Sequence, residues 1–297
     1  MGVARGRCRA AVVVAGVLAC VLAVAPSASA DVPSVPASGG ASQCVPDKST
    51  IAQCFPDKAL AQAIAERVKG DAGNTGEVLT SKDMQGVYEL NLDNTLVASV
   101  QGLQVFTNLA TLDLSGTRVS DVSPLAKLTN LGWLYLSDTK VSDVSPLAGL
   151  SNLQILDLSG TRVSDATLSS VAKLTKLGTL DLSNTRVSDA TLSSVAKLTN
   201  LQKLDLDDTQ VSDVSPLAGT YLDSLDLSGT RVSDVSPLSG LPGLEDLDLS
   251  GTRVSDATPL AGLGNLDSLD LSGTRVSDVS PLAGMTNLWH LDLSKTQ

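Results

Sequence analysis

Leucines in the pattern L-x-L recur along most of the chain, with first members at Leu90, Leu112, Leu134, Leu156, Leu180, Leu204, Leu225, Leu247, Leu269 and Leu291. Successive anchors lie 22 residues apart, apart from two spacings of 24 and one of 21. A fixed period of this length marks a solenoid, in which each unit buries its apolar face against its neighbours. Within a unit such as Leu112-Asp113-Leu114 the apolar period is two, so the leucines face inward, the aspartate faces out and the segment is a short strand. Identical units then stack these strands in parallel. Further along the unit, Ser123-Pro124-Leu125 places a capping hydroxyl before a proline and predicts a single 3₁₀ or α turn. The two 24-residue units carry T-L-S-S-V-A instead, over Thr167–Ala172 and Thr191–Ala196, each after an alanine, and predict a fuller helical turn.

Each unit approximates L-x-x-L-x-L-S-x-T-x-V-S-D-V-S-P-L-A-x-L-T-N, which is a leucine-rich repeat. Its threonines (Thr95, Thr117, Thr139, Thr161, Thr185, Thr209, Thr230, Thr252, Thr274 and Thr296) form an inward column, expected to hydrogen-bond turn backbone that the core leaves without water. Strand on one side and short turn on the other predict an α/β solenoid with a concave parallel sheet. The repeats are assigned to residues 87–297, about ten units with the last incomplete. The chain stops at Leu291-Asp292-Leu293-Ser294-Lys295-Thr296-Gln297 with no polar cap over Leu288, Leu291 and Leu293. The expectation is a lost cap or anchor, or else dimerisation or fraying at that end.

Ahead of the repeats the pattern changes. Leu60, Ile64 and Val68, flanked by Ala61 and Ala65, make one apolar stripe on a helix between Pro56 and Lys69, with Gly70 placed to end it. A second short helix is expected at Thr80 or Ser81, with Asp83 as its capping-box partner. Residues 44–86 therefore read as a small helical cap. Residues 31–43, DVPSVPASGGASQ, read as a flexible linker. Residues 1–30 read as a secretory signal peptide: Arg5, Arg7 and Arg9, then an apolar run from Ala10 to Ala25, then Ala28-Ser29-Ala30. That run is short of the roughly 20 residues a membrane span needs.

Export changes the chemistry that the remaining residues can carry. The leader holds three of the 21 basic residues and none of the 32 acids, leaving a mature net charge of −14. Such acidity argues against nucleic acid, whose binders need cations to displace phosphate counterions. Cys44 and Cys54 remain, and an even pair in an exported chain reads as a disulfide. His290 is the single histidine, which excludes multi-imidazole metal sites, Ser-His-Asp triads and Cys-His dyads as designs for this chain.

The stretch I-A-Q-C-F-P-D-K-A-L-A-Q-A-I-A (Ile51–Ala65), followed by units such as L-A-T-L-D-L-S-G-T-R-V-S-D-V-S-P-L-A-K-L-T-N-L (Leu109–Leu131), resembles the internalin family of bacterial surface proteins. The resemblance implies a helical cap sealing a right-handed solenoid, a concave sheet that binds host or other surface proteins, and no enzymatic activity. The sequence differs from that family in carrying threonine where asparagine is usual.

The outward positions of the strands are the candidate site. Their central column is Asn91, Asp113, Tyr135, Asp157, Asp181, Asp205, Asp226, Asp248, Asp270 and Asp292, ending in an unbroken aspartate ladder. With strands about 4.8 Å apart, neighbouring charges repel by roughly 0.9 kcal/mol in water before screening. Two readings stand: a face that receives a basic protein partner or calcium, or a repeat consensus copied with each duplication. A basic column (Arg118, Lys140, Arg162, Arg186, Arg231, Arg253, Arg275) and a second acidic one (Asp121, Asp143, Asp165, Asp189, Asp213, Asp234, Asp256, Asp278) offer stripes that could offset it. Exposed Trp133 and Tyr135, with Tyr88 at the position equivalent to Trp133 two units earlier, read as binding anchors, the alternative being packing against neighbours. Asp205, Asp207 and Asp208 form a weak calcium motif, since they alternate faces without a glycine-rich loop. The functional expectation is a secreted or wall-associated, non-enzymatic protein that recognises another protein. The alternatives are a structural spacer and, last, a paired-carboxylate hydrolase, which an open face without a hydrophobic wall disfavours.

Overall fold

The computed structural model describes residues 44–297; the leader and linker expected over residues 1–43 lie outside them. The described chain opens with α1 (Ile51–Cys54), α2 (Lys58–Lys69) and α3 (Ser81–Gln85). Each starts where a side chain satisfies helix N–H groups that have no intrahelical acceptor. Thr50 and Gln53 close a capping box on α1, and Thr80 and Asp83 close one on α3. Asp57 Oδ1 accepts from the Leu60 N–H of α2 at 3.0 Å, and Gly70, in the left-handed region at φ 74°, ends that helix. The α2 stripe of Leu60, Ala61, Ile64 and Ala65 is buried, with Val68 partly so. The sulfurs of Cys44 and Cys54 lie at bonding distance, with Cα atoms 4.6 Å apart.

Three contacts dock these helices on the first repeat. Asp57 turns its second oxygen to the backbone N–H groups of Ala98 and Ser99, at 2.9 and 3.1 Å. Phe55 stacks on Phe106 with centroids 5.7 Å apart and rings 6° from parallel. Gly102, at φ 106°, lets the backbone pass so close that a Cβ there would overlap the Cys54 carbonyl and the Phe55 ring.

The repeats form one parallel sheet whose ten strands follow chain order. They are β1 (Glu89–Asn91), β2 (Thr111–Asp113), β3 (Trp133–Tyr135), β4 (Ile155–Asp157), β5 (Thr179–Asp181), β6 (Lys203–Asp205), β7 (Ser224–Asp226), β8 (Asp246–Asp248), β9 (Ser268–Asp270) and β10 (His290–Asp292). The anchor leucines stand side by side, Leu90 against Leu112 at one end and Leu269 against Leu291 at the other. Behind them one unit contributes Val119, Val122, Leu125, Leu128, Leu131, Leu134 and Leu136 to a core continuous with the helices. This is the architecture of a leucine-rich-repeat solenoid.

After each strand the chain makes a tight turn through a left-handed residue. Asn94, Gly116, Asp138, Gly160, Asn184, Asp208, Gly229, Gly251, Gly273 and Lys295 all have φ between 53° and 69°. All but Lys295 are residue types that visit this region readily. The threonine that follows donates its hydroxyl to the carbonyl three residues back, as Thr117 Oγ1 does to Leu114 O at 2.6 Å, so the column has the role its position suggested. Thr209 is 5% exposed and donates to Leu206 O at 2.6 Å. Thr209→Val is therefore expected to cost about 1 kcal/mol, the net worth of one hydrogen bond, and Thr209→Ser distinctly less. Urea unfolding of the two variants checks the difference; equal losses would assign the cost to packing instead.

On the opposite side, most units make a 3₁₀ turn such as Ser123–Lys127. Its cap corrects the sequence expectation: Ser123 is the first residue of the turn, and Asp121 Oδ1 accepts the Ser123 N–H at 2.8 Å. A carboxylate two residues earlier reaches that N–H across the bend, whereas the serine hydroxyl sits on the same residue as the N–H to be capped. The 24-residue units do carry fuller turns, α4 (Asp165–Leu168), continued as 3₁₀ over Ser169–Lys173, and α5 (Asp189–Val195). Their aspartates bond to the next unit. Asp165 accepts from the N–H and hydroxyl of Ser188 at 2.8 and 2.7 Å and from the Thr191 hydroxyl at 2.5 Å; Asp189 does the same for Ser212.

Candidate functional site

The register of the sheet decides which side chains share a column on its outer face. Trp133 stands between Thr111 and Ile155, and Tyr135 between Asp113 and Asp157. Trp133 is 39% exposed and Tyr135 half-buried. Burial pushes the Tyr135 phenol above its usual pKa, and the Asp113 and Asp157 charges add to the effect. Tyr88 requires a correction. Glu89 pairs with Thr111 and Thr111 with Trp133, so Glu89 is the equivalent of Trp133 and Tyr88 precedes the strand. Tyr88 is exposed at the sheet's rim, one register position away.

The aspartate ladder runs through Asp157, Asp181, Asp205, Asp226, Asp248, Asp270 and Asp292 in adjacent strands. Each Oδ1 accepts the backbone N–H two residues on, as Asp157 does from Ser159 at 2.9 Å and Asp248 from Ser250 at 2.7 Å. These bonds hold the turn that follows each strand. The column thus has a backbone duty independent of any partner. Among the described residues no member of the arginine column forms an ion pair, so it does not offset the ladder by direct pairing. Asp246 in β8, with Asp223, Glu245 and Asp267 just before β7, β8 and β9, adds to the acidity.

Burial raises the pKa of Asp157 and of Asp248 above 3.8; Ser159 and Ser250 work against it, and the neighbouring carboxylates add to the rise. Burial thus pushes these two carboxyls up even on a face without a hydrophobic wall. For Asp165 burial also opposes ionisation, but hydrogen bonds from Thr191 and Ser188 outweigh it and hold the carboxyl below 3.8. The signs differ accordingly. Asp165 contributes stability above its unfolded pKa and loses it as pH falls through its depressed folded value. Asp157 does the opposite: its charge is unfavourable at neutral pH, and protonation relieves it. Asp157→Asn, which keeps an acceptor for Ser159, should thus be more stable than the parent at pH 7. That advantage should vanish once Asp157 is protonated, while Asp165→Asn should be the less stable variant at pH 7. Urea melts at pH 7 and pH 3 test both signs.

Among the described residues no group of three or more His, Cys, Asp or Glu is arranged to hold a metal ion. Asp205, Asp207 and Asp208 separate into different duties: Asp205 accepts from the Asp207 N–H, Asp207 accepts from the Ser228 hydroxyl, and Asp208 is a left-handed turn residue. Among the described residues no helix is long and apolar enough to cross a membrane.

Sequence reasoning left two sets of residues without a role. Asn130, Asn152, Asn200, Asn265 and Asn287 each donate from Nδ2 to a carbonyl of the preceding unit, at 2.6 to 2.8 Å, and Asn108 donates to Gln85 O at the end of α3, at 3.1 Å. Their signal is an asparagine recurring two residues after an apolar side chain, in L-T-N at Asn130 and Asn200 and in close variants of it at the other four. The other is Asp57, whose second oxygen crosses to Ala98 and Ser99.

A family model described as the LRR domain of the endo-β-N-acetylglucosaminidase EndoS matches residues 55–185. A model of paired leucine-rich repeats matches residues 175–219 and 222–262. No curated protein sequence matches. Among solved structures, an internalin (inlF) from Listeria monocytogenes is 33% identical, with TM-score 0.79, over 86% of this chain and 73% of that one. The chain belongs to the internalin family. Internalin C2 of the same organism is also 33% identical, with TM-score 0.67, over 83% of this chain and 97% of its own. A leucine-rich-repeat protein from Leptospira interrogans, 22% identical with TM-score 0.63, shares the fold. This internalin-family chain is accordingly a bacterial protein-interaction scaffold of leucine-rich repeats.

Proposed function

We propose that this internalin-family protein is exported and recognises another protein through the outer face of its sheet. The observation that carries the reading is Trp133, exposed on β3 beside half-buried Tyr135. An aromatic pair on a rigid parallel strand provides contact area at low entropic cost, as binding hot spots do. The ladder from Asp157 to Asp292 sets the electrostatic preference for a basic partner and speeds encounter at low salt; Tyr88 flanks the aromatic pair from the rim. Residues 1–30 direct export and are removed, residues 31–43 tether the helical cap of residues 44–86, and residues 87–297 are the binding repeats. In the oxidising space outside the cell Cys44 and Cys54 are joined, which the bonding distance of their sulfurs supports. The role is recognition at the cell surface, not catalysis.

The experiment is capture of surface proteins on immobilised protein, followed by affinity measurement with the captured partner. Replacing Trp133 and Tyr135 together by alanine should weaken binding by about 2 kcal/mol or more. Replacing Asp226, Asp248 and Asp270 by asparagine should chiefly lower the association rate. Unchanged affinity in the aromatic variant, with association insensitive to salt, would make the sheet face a scaffold and place binding elsewhere.

A further inference from the structure

A groove of about 340 Å³ opens beside Trp133, where the chain enters strands β2 to β4. Its walls are Thr111, Asn130, Trp133, Asn152 and Gln154, and Ala110 and Gly132 form its floor. No charged side chain lines it, in a protein with 32 acids. The equivalent positions just before β7, β8 and β9 are Asp223, Glu245 and Asp267, so the rim that is neutral here is acidic at that end of the sheet. The floor is open because residue 132 is glycine: a Cβ there would meet nothing closer than 3.8 Å.

Several polar groups around this groove are left uncommitted by the fold. Ladder aspartates spend an oxygen on the backbone, but the Thr111 hydroxyl, the Gln154 amide and the Trp133 indole N–H have no hydrogen-bond partner among the described residues. Asn130 and Asn152 are held in place by Nδ2 bonds to Thr107 O and Thr129 O, both at 2.8 Å. Asn130 Oδ1 remains an acceptor, while Asn152 Oδ1 takes the Lys176 ammonium at 2.8 Å. An exposed indole, fixed amides, a free hydroxyl and no charge suit a ligand that is flat and apolar on one face, dense in hydroxyls at its edge, and neutral. A charged ligand would find no counterion among the lining residues, and a purely apolar one would strip water from the amides without replacing their bonds.

We propose that this groove is a binding subsite for one neutral pyranose ring of a glycan, stacked on Trp133 and hydrogen-bonded by Thr111, Asn130 and Gln154. It does not depend on a protein partner for the sheet face, and free sugars test it alone. The probes are cellotriose, maltotriose, mannotriose and triacetylchitotriose, titrated into a Trp289→Phe variant in which Trp133 is the only tryptophan. At least one trisaccharide should change the Trp133 emission saturably, with a dissociation constant in the millimolar range. Gly132→Val, which fills the floor, and Gln154→Leu, an exposed change that spares the fold, should each weaken it, the first by about tenfold. Ligand-observed NMR on Trp133→Ala should show the signal lost. The proposal fails if no trisaccharide perturbs Trp133 well above millimolar concentration, or if Gly132→Val and Gln154→Leu bind as the parent does.

Discussion

Gly102→Ala is expected to destabilise the protein by about 3 kcal/mol or more, because two costs coincide there. The backbone at φ 106° is strained for any residue with a Cβ, about 1 to 3 kcal/mol. The added methyl group would also run into the Cys54 carbonyl and the Phe55 ring, and overpacking adds about 1 to 3 kcal/mol. Gly219 separates the two costs. It too has positive φ, 79°, but nothing lies within 4 Å of a Cβ there, so Gly219→Ala should lose only about 1 kcal/mol. Urea unfolding followed by circular dichroism measures both. Equal losses would mean that the helices do not press on the first repeat as closely as the Phe55–Phe106 stack implies.

The second large effect contrasts one leucine with its own repeat. Leu180 and Leu291 hold the same register position, yet Leu180 is 0% exposed between β4 and β6 while Leu291 is 40% exposed on β10. Leu180→Ala should cost about 3 kcal/mol, as truncation of a core leucine enclosed on both sides does. Leu291→Ala, which gives up only part of its burial, should cost about 1 kcal/mol. Thermal unfolding of both variants is the measurement, and similar losses would contradict nearest-neighbour burial as the source of stability.

Much of this fold was legible because it is periodic. The leucine anchors give the register residue for residue, and the threonine hydroxyls find the carbonyls that their inward position requires. Single positions read less well. Tyr88 lies one position outside the expected column, and only the pairing of Glu89 with Thr111 resolves it. Ser123 resembles a cap because serine before proline usually is one, but the turn already begins at Ser123 and the Asp121 carboxylate accepts the N–H of Ser123 itself. The reach of Asp57 to Ala98 and Ser99 spans about forty residues and leaves no local pattern. At the candidate site, the sequence marked Trp133 and Tyr135 correctly as outward positions but could not see the groove beside them, which depends on glycine at 132 and on amides from two other units.

The turn-holding bonds of the ladder divide the face into two kinds of position. Where a side-chain oxygen secures its own backbone, losing that acceptor is costly, and an aspartate stands at each position of the column from Asp157 to Asp292. The neighbouring column has no such duty, and there the units diverge: Thr111, Trp133, Ile155, Thr179, Lys203, Ser224, Asp246, Ser268 and His290. Diversification of this surface is thereby steered onto one column, so a duplicated unit can acquire a new specificity without renegotiating its fold.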